Sequence, residues 1–408
     1  MTPLESRAVG FDPGDLAFIA DPYPVYAELR ATDPVMYEEA TDHWLVTRHQ
    51  DVNALLRDRR FGRTYLHAAS HREMGRSAPP VWHAPFWDLI NAGILDMEGA
   101  DHARVRRLVS KAFTPAYVEG LLPRVQRIVD ALVDELAGED EIDLLPAIAE
   151  PLPVTVIAEM LGVPADDHHL LRPWSADICK MYELNPSLQA QRDAVRACVE
   201  FSAYLRALAR ERAERPGDDL ISELAAVLDQ GDRLTEDELV GTCVLLLNAG
   251  HEATVNATLL GWLALFRHPD QLARLRADPA SIPTAVEELL RYDTPLQLFE
   301  RWVLEDVELR GVRIPRGAEL GLVFGSANRD PSVFPDPDAL DLSREPNPHL
   351  TFGAGIHFCL GAPLGRLELQ TSFRTLLERF PHMEPIQEPT WKPNYIIRGL
   401  DGLRVRLR

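Results

Sequence analysis

Cys359 is the side chain in this sequence with the most chemistry available to it. It lies in Phe352-Gly353-Ala354-Gly355-Ile356-His357-Phe358-Cys359-Leu360-Gly361, just before an apolar stretch, Ala362 to Leu377, that predicts a helix. Gly353 and Gly355 admit backbone angles that side chains forbid, so the loop is expected to fold tightly beneath a flat ligand. The helix start carries positive dipole character, and nearby N–H groups can hydrogen-bond sulfur; both favour a thiolate. A lone thiolate held this way suits an axial haem ligand, because electron density pushed through the iron favours O–O cleavage. The bland alternative is a buried cysteine in a tight turn.

A second candidate lies on the longest predicted helix. Thr235 and Glu238 form a capping box, and the helical pattern then runs to Phe266 before Arg267-His268-Pro269 closes it. About 32 residues make a rod of roughly 48 Å, long enough to cross the molecule. Its middle, Leu245 to Thr254, is apolar nearly all round and reads as buried. Gly250 there costs about 1 kcal/mol relative to alanine and is expected to let something flat approach the backbone. Glu252 needs a partner, water or a proton-transfer role. A core glycine with a satisfied carboxylate is the alternative reading.

Charged pairs and basic residues complete the set. Glu288 and Arg291 share one helix face at i, i+3, a spacing that any helix surface also offers. Arginine forks suit a ligand carboxylate well, but His102, Arg106, Arg301 and His357, taken one at a time, read as ordinary surface cations or satisfied histidines. His102-Ala103-Arg104-Val105-Arg106-Arg107 with Lys111 forms a basic cluster, either a solvated face or a docking site for an acidic protein.

The full string F-G-x-G-x-H-x-C-x-G resembles the haem-binding signature of the cytochrome P-450 family, the haem-thiolate monooxygenases. Leu245 to Thr254 looks like the family's oxygen-binding helix, A-G-x-[DE]-T-[TS], with Ala249-Gly250 making room for dioxygen and Glu252 feeding protons. This chain departs from the pattern, because Ala253 stands where the family has a threonine that helps deliver protons. Thr254 follows, turned by about 100° along the helix, with a hydroxyl free to bond the carbonyl four residues back. Substrate, water fed by Glu252, or a less usual reaction could make up the difference. Glu288-x-x-Arg291 resembles the family's E-x-x-R motif. With Arg344, in a stretch similar to its meander, the resemblance implies a buried structural network.

His102 and Arg106 follow Asp96–Asp101, which is similar to the D-x-P-x-H-x-x-x-R segment. Arg301 falls at the family's propionate arginine, ten residues before Gly311, and His357 precedes the thiolate by two. The resemblance implies haem b on Cys359, framed by Phe352, Gly353 and Gly361. It also implies O2 and a small apolar organic substrate, with electrons from NAD(P)H through a ferredoxin reductase and ferredoxin. No flavin or nicotinamide fingerprint occurs in the chain. A haem-thiolate oxidase that couples phenols or closes rings is one rival, and a haem sensor or carrier is another.

Composition and the remaining elements set the frame. The chain has 408 residues, 46% hydrophobic, with a net charge of −21 that makes nucleic acid an unexpected partner. Four scattered cysteines argue for a reducing, cytoplasmic setting. Met1 to Asp15 shows no apolar run, so no signal peptide or membrane anchor is expected. Val35–Tyr37 and Trp44–Thr47 predict a hairpin, Leu121–Leu136 and Pro151–Leu161 helices, and Arg63–Leu95 a proline-broken loop. Val307–Ile314 and Gly402–Leu407 add short β pieces. Substrate walls are expected from that loop, from Thr242–Ala249, Leu296–Glu300 and Ile396-Ile397. Val81-Trp82, Pro85-Phe86-Trp87 and Leu89-Ile90 are the candidate lid. The expectation is mainly α: a helix-rich, triangular P-450 domain over residues 1–408 with small peripheral sheets.

Overall fold

The computed structural model describes residues 10–227 and 231–407, so residues 1–9 of the N-terminal stretch read above lie outside it. Helices form where the apolar spacing calls for them. Leu122–Glu135 buries Val125, Ile128, Val129 and Val133 on one face. Pro151–Leu161 opens on a proline, harmless in a first turn, and ends at Gly162 in the left-handed region. The long helix runs Glu236–Arg267 with the capping box formed. Among the described residues, no helix is long and apolar enough to cross a membrane.

Ten strands are described: β1 (Val35–Glu38), β2 (His43–Val46), β3 (Phe61–Gly62), β4 (Glu141–Asp143), β5 (Leu298–Val303), β6 (Val307–Leu309), β7 (Val312–Ile314), β8 (Glu319–Val323), β9 (Glu384–Pro385) and β10 (Arg404–Arg406). The main sheet has the order β1-β2-β8-β5-β3. The expected hairpin is β1–β2, with Val35 opposite Val46. β2 and β8 pair in parallel, and β5 joins β8 antiparallel. The largest apolar cluster gathers the helices around Glu236–Arg267; two smaller ones pack on the sheet.

Three expectations need correcting. Arg63–Leu95 is not all loop: Ala84–Asn91 is a helix, with Pro85 in its first turn where the missing N–H costs nothing. The middle of the long helix is not buried all round, since Ala249 is exposed and Leu245, Leu246, Gly250 and Ala253 are half-buried along a cavity. The expectation for Gly250 is incomplete: it lines the cavity, and it also serves packing. A Cβ on it would fall 2.3 Å from Ile157 Cδ1, so the missing side chain lets the Pro151–Leu161 helix press against the long helix.

The Ile282–Tyr292 helix carries a buried ion cluster. Glu288 and Arg291 side chains are fully buried and joined by two contacts of 2.7 Å. Arg344 Nε lies 3.1 Å from both Glu288 oxygens, and Asp341 N and Asn347 Nδ2 also donate to them. Arg291 donates onward to the carbonyls of Asn328, Pro337 and Ala339. Removing one partner of such a pair strands the other charge, at a cost of about 3–5 kcal/mol. Arg291→Ala should therefore lower unfolding stability by that amount in a denaturant titration, and an unchanged midpoint would show that the cluster is dispensable.

Candidate active site

The cysteine loop closes on itself through backbone bonds. Cys359 N donates to the Phe352 carbonyl at 3.0 Å, and Phe358 N to that of Gly355 at 3.2 Å. Gly353 and Gly355 both take positive φ, 67° and 72°. At Gly355 a Cβ would also come within 2.2 Å of the Leu56 carbonyl. Helix Ala362–Arg379 starts just after Cys359. Burial pushes the Cys359 thiol up; the N–H groups of Gly361 and Ala362 and the Arg106 and Arg366 guanidinia pull the other way without prevailing. The helix start alone therefore does not make the thiolate expected from the sequence, whereas a coordinated metal ion deprotonates a thiol outright.

The loop is anchored to the Glu288 cluster. Asn328, whose carbonyl accepts from Arg291, donates through Nδ2 to Thr351 Oγ1 at 3.0 Å and accepts from Leu350 N at 2.7 Å. Thr351 Oγ1 in turn donates to the Leu290 carbonyl. Arg366 sits over the Phe352 ring at 4.4 Å while pairing with Glu287.

Above the sulfur lies a cavity whose wall includes Phe352, Gly353, His357, Cys359 and Gly361. His102, Arg106, Arg301 and His357, far apart in sequence, meet on this wall. The His102 and His357 rings stand 4.4 Å apart, and Arg106 donates to the Phe358 carbonyl at 2.9 Å. His102 Nε2 and Arg301 Nη2 are buried with no hydrogen-bond partner. Burial and the nearby Arg63 pull Arg301 down to about 9, and burial and His357 pull His102 down to about 4. Unpartnered polar atoms and crowded basic groups at one rim call for an anion, so the residues fit a haem: His102, Arg106, Arg301 and His357 would hold its propionates and Cys359 its iron. The haem iron would supply redox and dioxygen chemistry that no side chain here provides.

Sequence reasoning missed two members of this rim, Asp96 and Glu98, and assigned Arg63 to the wall but not to the rim. Arg63, on the wall with its Nε unpartnered, pairs with Asp96 at 3.1 Å. Glu98 accepts from Arg63 N at 2.7 Å and lies 3.0 Å from His357 Nε2. Acidic residues just ahead of His102 were the available signal.

On the long helix, Ala249, Gly250, Ala253 and Thr254 line the cavity, and Glu252 does not. One residue's rotation carries its carboxylate behind the wall, 3.8 Å from His251 Nδ1. Glu252 therefore does not itself line the cavity. Thr254 Oγ1 does not bond the Gly250 carbonyl; it lies toward Gly365, 3.9 Å from where a Cβ there would be. The back-bonding side chains are Asn256 and Thr258, to the carbonyls of Glu252 and Thr254.

Arg63, Ile94, Leu95, Leu245, Leu246, Leu296, Leu298, Phe299, Glu300, Ile396 and Ile397 line the cavity as expected, and Ile157, Met160, Leu161 and Tyr182 join them. The aromatic lid is corrected: Phe86, Leu89 and Ile90 are core residues, and Val81 and Trp82 face outward. The basic cluster is also largely neutralised, since Arg104 pairs with Glu238 and Arg107 with Asp232.

Known proteins agree with this site. The family model described as cytochrome P-450 matches residues 87–396. The chain is 42% identical to the cytochrome P-450 monooxygenase PikC of Streptomyces venezuelae, over 99% of this chain and 94% of that one. It is 39% identical to 6-deoxyerythronolide B hydroxylase of Saccharopolyspora erythraea, over 96% and 97%. Its fold matches P450BioI, crystallised with a hexadec-9Z-enoic acid-ligated acyl carrier protein, at a TM-score of 0.90 and 37% identity, covering 96% of this chain and 99% of that one. The chain belongs to the cytochrome P-450 family and is a haem-thiolate monooxygenase.

Two tests follow from the rim and the wall. Arg301→Ala and Arg106→Ala should each speed haem loss, because a missing hydrogen bond to a charged group costs about 1.5–3 kcal/mol. Transfer of haem to excess apomyoglobin reads this, and unchanged rates in both would reject the propionate role. Glu368, on the wall and fully buried, has its carboxyl pushed up to about 8 by burial. The folded state keeps this proton while the unfolded chain releases it at an ordinary value near 4.5. Its share of stability is therefore whole below about pH 4.5 and drains as pH rises toward 8. Glu368→Gln should flatten the fall of melting temperature over that window, and a parallel fall in wild type and variant would exclude Glu368 as its source.

Proposed function

We propose that this single-domain chain binds haem b and inserts one oxygen atom from O2 into a small, largely apolar organic substrate, by hydroxylation or epoxidation. Electrons come from NAD(P)H through a ferredoxin reductase and a ferredoxin. The observation that carries this reading is the apolar cavity that opens on Cys359, with charged groups confined to one rim. Such walls bind a ligand by excluding water and orient it by few polar contacts. Relatives named for a deoxyerythronolide and for polyketide biosynthesis favour a secondary-metabolite substrate of that kind.

Proton supply is the unusual part. Ala253 lines the cavity with no hydroxyl, and Thr254 Oγ1 lies near Gly365, another residue of the cavity wall. Bound substrate, or water that it orders, therefore completes the path, and Glu252 feeds that water from behind the wall. Ala253 also keeps a second reading in play: phenol coupling or ring closure without oxygen insertion.

Reduced protein under carbon monoxide should show the absorption band that gives the family its name, and Cys359→His should abolish it. Product formed per NAD(P)H consumed then tests the proton path. Ala253→Thr should raise this ratio for substrates without a hydroxyl. Glu252→Gln should slow turnover more than it weakens substrate binding, since an amide keeps the shape but shuttles no proton. Equal coupling and turnover in all three proteins would move the path elsewhere. A product carrying no oxygen from O2 would select the oxidase.

A further inference from the structure

His43, Glu300 and Glu319 stand on three adjacent strands, and the sheet register brings them together. β2 and β8 run parallel with Trp44 beside Leu320, which sets His43 beside Glu319. β5 places Glu300 opposite Gly321, two residues from Glu319 and so on the same face. His43 Nε2 lies 3.8 Å from Glu300 Oε1 and 3.8 Å from Glu319 Oε2. All three atoms fall within 4.8 Å of one another.

The histidine is oriented for this. Its Nδ1 lies 2.5 Å from the Thr41 carbonyl, which only accepts, so Nδ1 carries a ring proton and Nε2, turned to the carboxylates, is the atom that a second proton or a metal ion would take. His43 is 6% exposed and its Nε2 has no hydrogen-bond partner. It faces two carboxylate oxygens, which are acceptors too. The arginines nearby are already engaged. Arg63 is held by Asp96 at 3.1 Å and reaches the other oxygen of Glu300 at 3.7 Å. Arg76 is held by Asp42 at 2.7 Å. Among the described residues, Glu319 pairs with no cation except His43.

We propose that His43, Glu300 and Glu319 bind one divalent transition-metal ion of the zinc type, at a site separate from the cysteine loop. One imidazole nitrogen with two carboxylate oxygens suits zinc, whereas magnesium and calcium favour all-oxygen sets. Donors around a tetrahedral zinc stand about 3.4 Å apart, so His43 needs to approach each carboxylate by only a few tenths of an ångström, and the carboxylates are already within 4.8 Å of each other. The Thr41 carbonyl behind Nδ1 is the kind of outer hydrogen bond that aims a metal-binding imidazole. The Glu319 side chain is 17% exposed, which leaves an approach for ion and water. The bound ion would pin β2 and β8 to β5, the strand that carries Arg301. Protons compete with the ion for all three donors, so uptake should weaken in acid.

The test uses full-length, haem-loaded protein, stripped with a chelator, dialysed against zinc chloride, and assayed for zinc and iron per chain. The expected result is one zinc per chain at neutral pH, a raised melting temperature and an unshifted Soret band. His43→Ala and Glu319→Gln should each weaken zinc affinity by about tenfold or more. Glu319→Gln preserves shape and decides alone where His43→Ala fails to fold. Zinc that is not retained, or is retained equally by the folded variants, overturns the site. So does an imidazolium at residue 43, seen by NMR at neutral pH, that zinc does not displace.

Discussion

A carboxylate with no water around it can persist only if the chain surrounds it with donors, and Glu288 imposes that condition on the C-terminal half of this protein. Its two oxygens gather Arg291, Arg344, Asn347 and the Asp341 amide. Residues 328–354 have almost no regular secondary structure, so the donors stand in for a sheet or helix ladder. Arg291 spans three carbonyls of that stretch, and Asn328 passes the order to Leu350 and Thr351. The loop that presents Cys359 therefore inherits its position from an ion cluster the reacting groups never touch. A hydrophobic replacement could be as stable, but it would not fix this many strand-free residues at once.

The cavity shows the opposite arrangement of charge. Cations and their acids are collected where Arg63, Arg301, His102 and His357 meet Asp96 and Glu98, and the rest of the wall is mainly apolar. Burial, and then the neighbouring Arg63, disfavour the charge on Arg301. An anionic edge relieves that strain, while the apolar remainder gives a ligand little direction. Position is thus set from the rim, and selectivity from shape.

What the sequence made legible was local. The cysteine loop, the capping box at Thr235 and Glu238, the β1–β2 hairpin and the Glu288–Arg291 pair all depend on residues within a few positions of one another. Direction around a helix was harder to read. Glu252 and Ala253 differ by one residue, yet only Ala253 reaches the cavity. Gly250 serves the contact with Ile157 as well as the cavity, and nothing in the sequence announced Ile157 opposite it. The same limit hid Glu98 behind His357, 259 positions apart. It also made a lid of Phe86, which the helix Ala84–Asn91 turns into the core. The basic run from His102 divides in the same way. Its arginines leave the helix on different faces, two toward acids and one toward the cavity.

The contact between Gly250 and Ile157 bears on how this protein can change over generations. A side chain at 250 needs a smaller partner at 157 in the same step, because either change alone leaves a clash or a void between two load-sharing helices. Lineages that vary one without the other should be rare, and the two positions should covary. Met160, Leu161, Leu245 and Leu246 reach the cavity without passing through that contact. New substrate preferences have their easiest route through those four, one substitution at a time, while the crossing of the helices stays as it is.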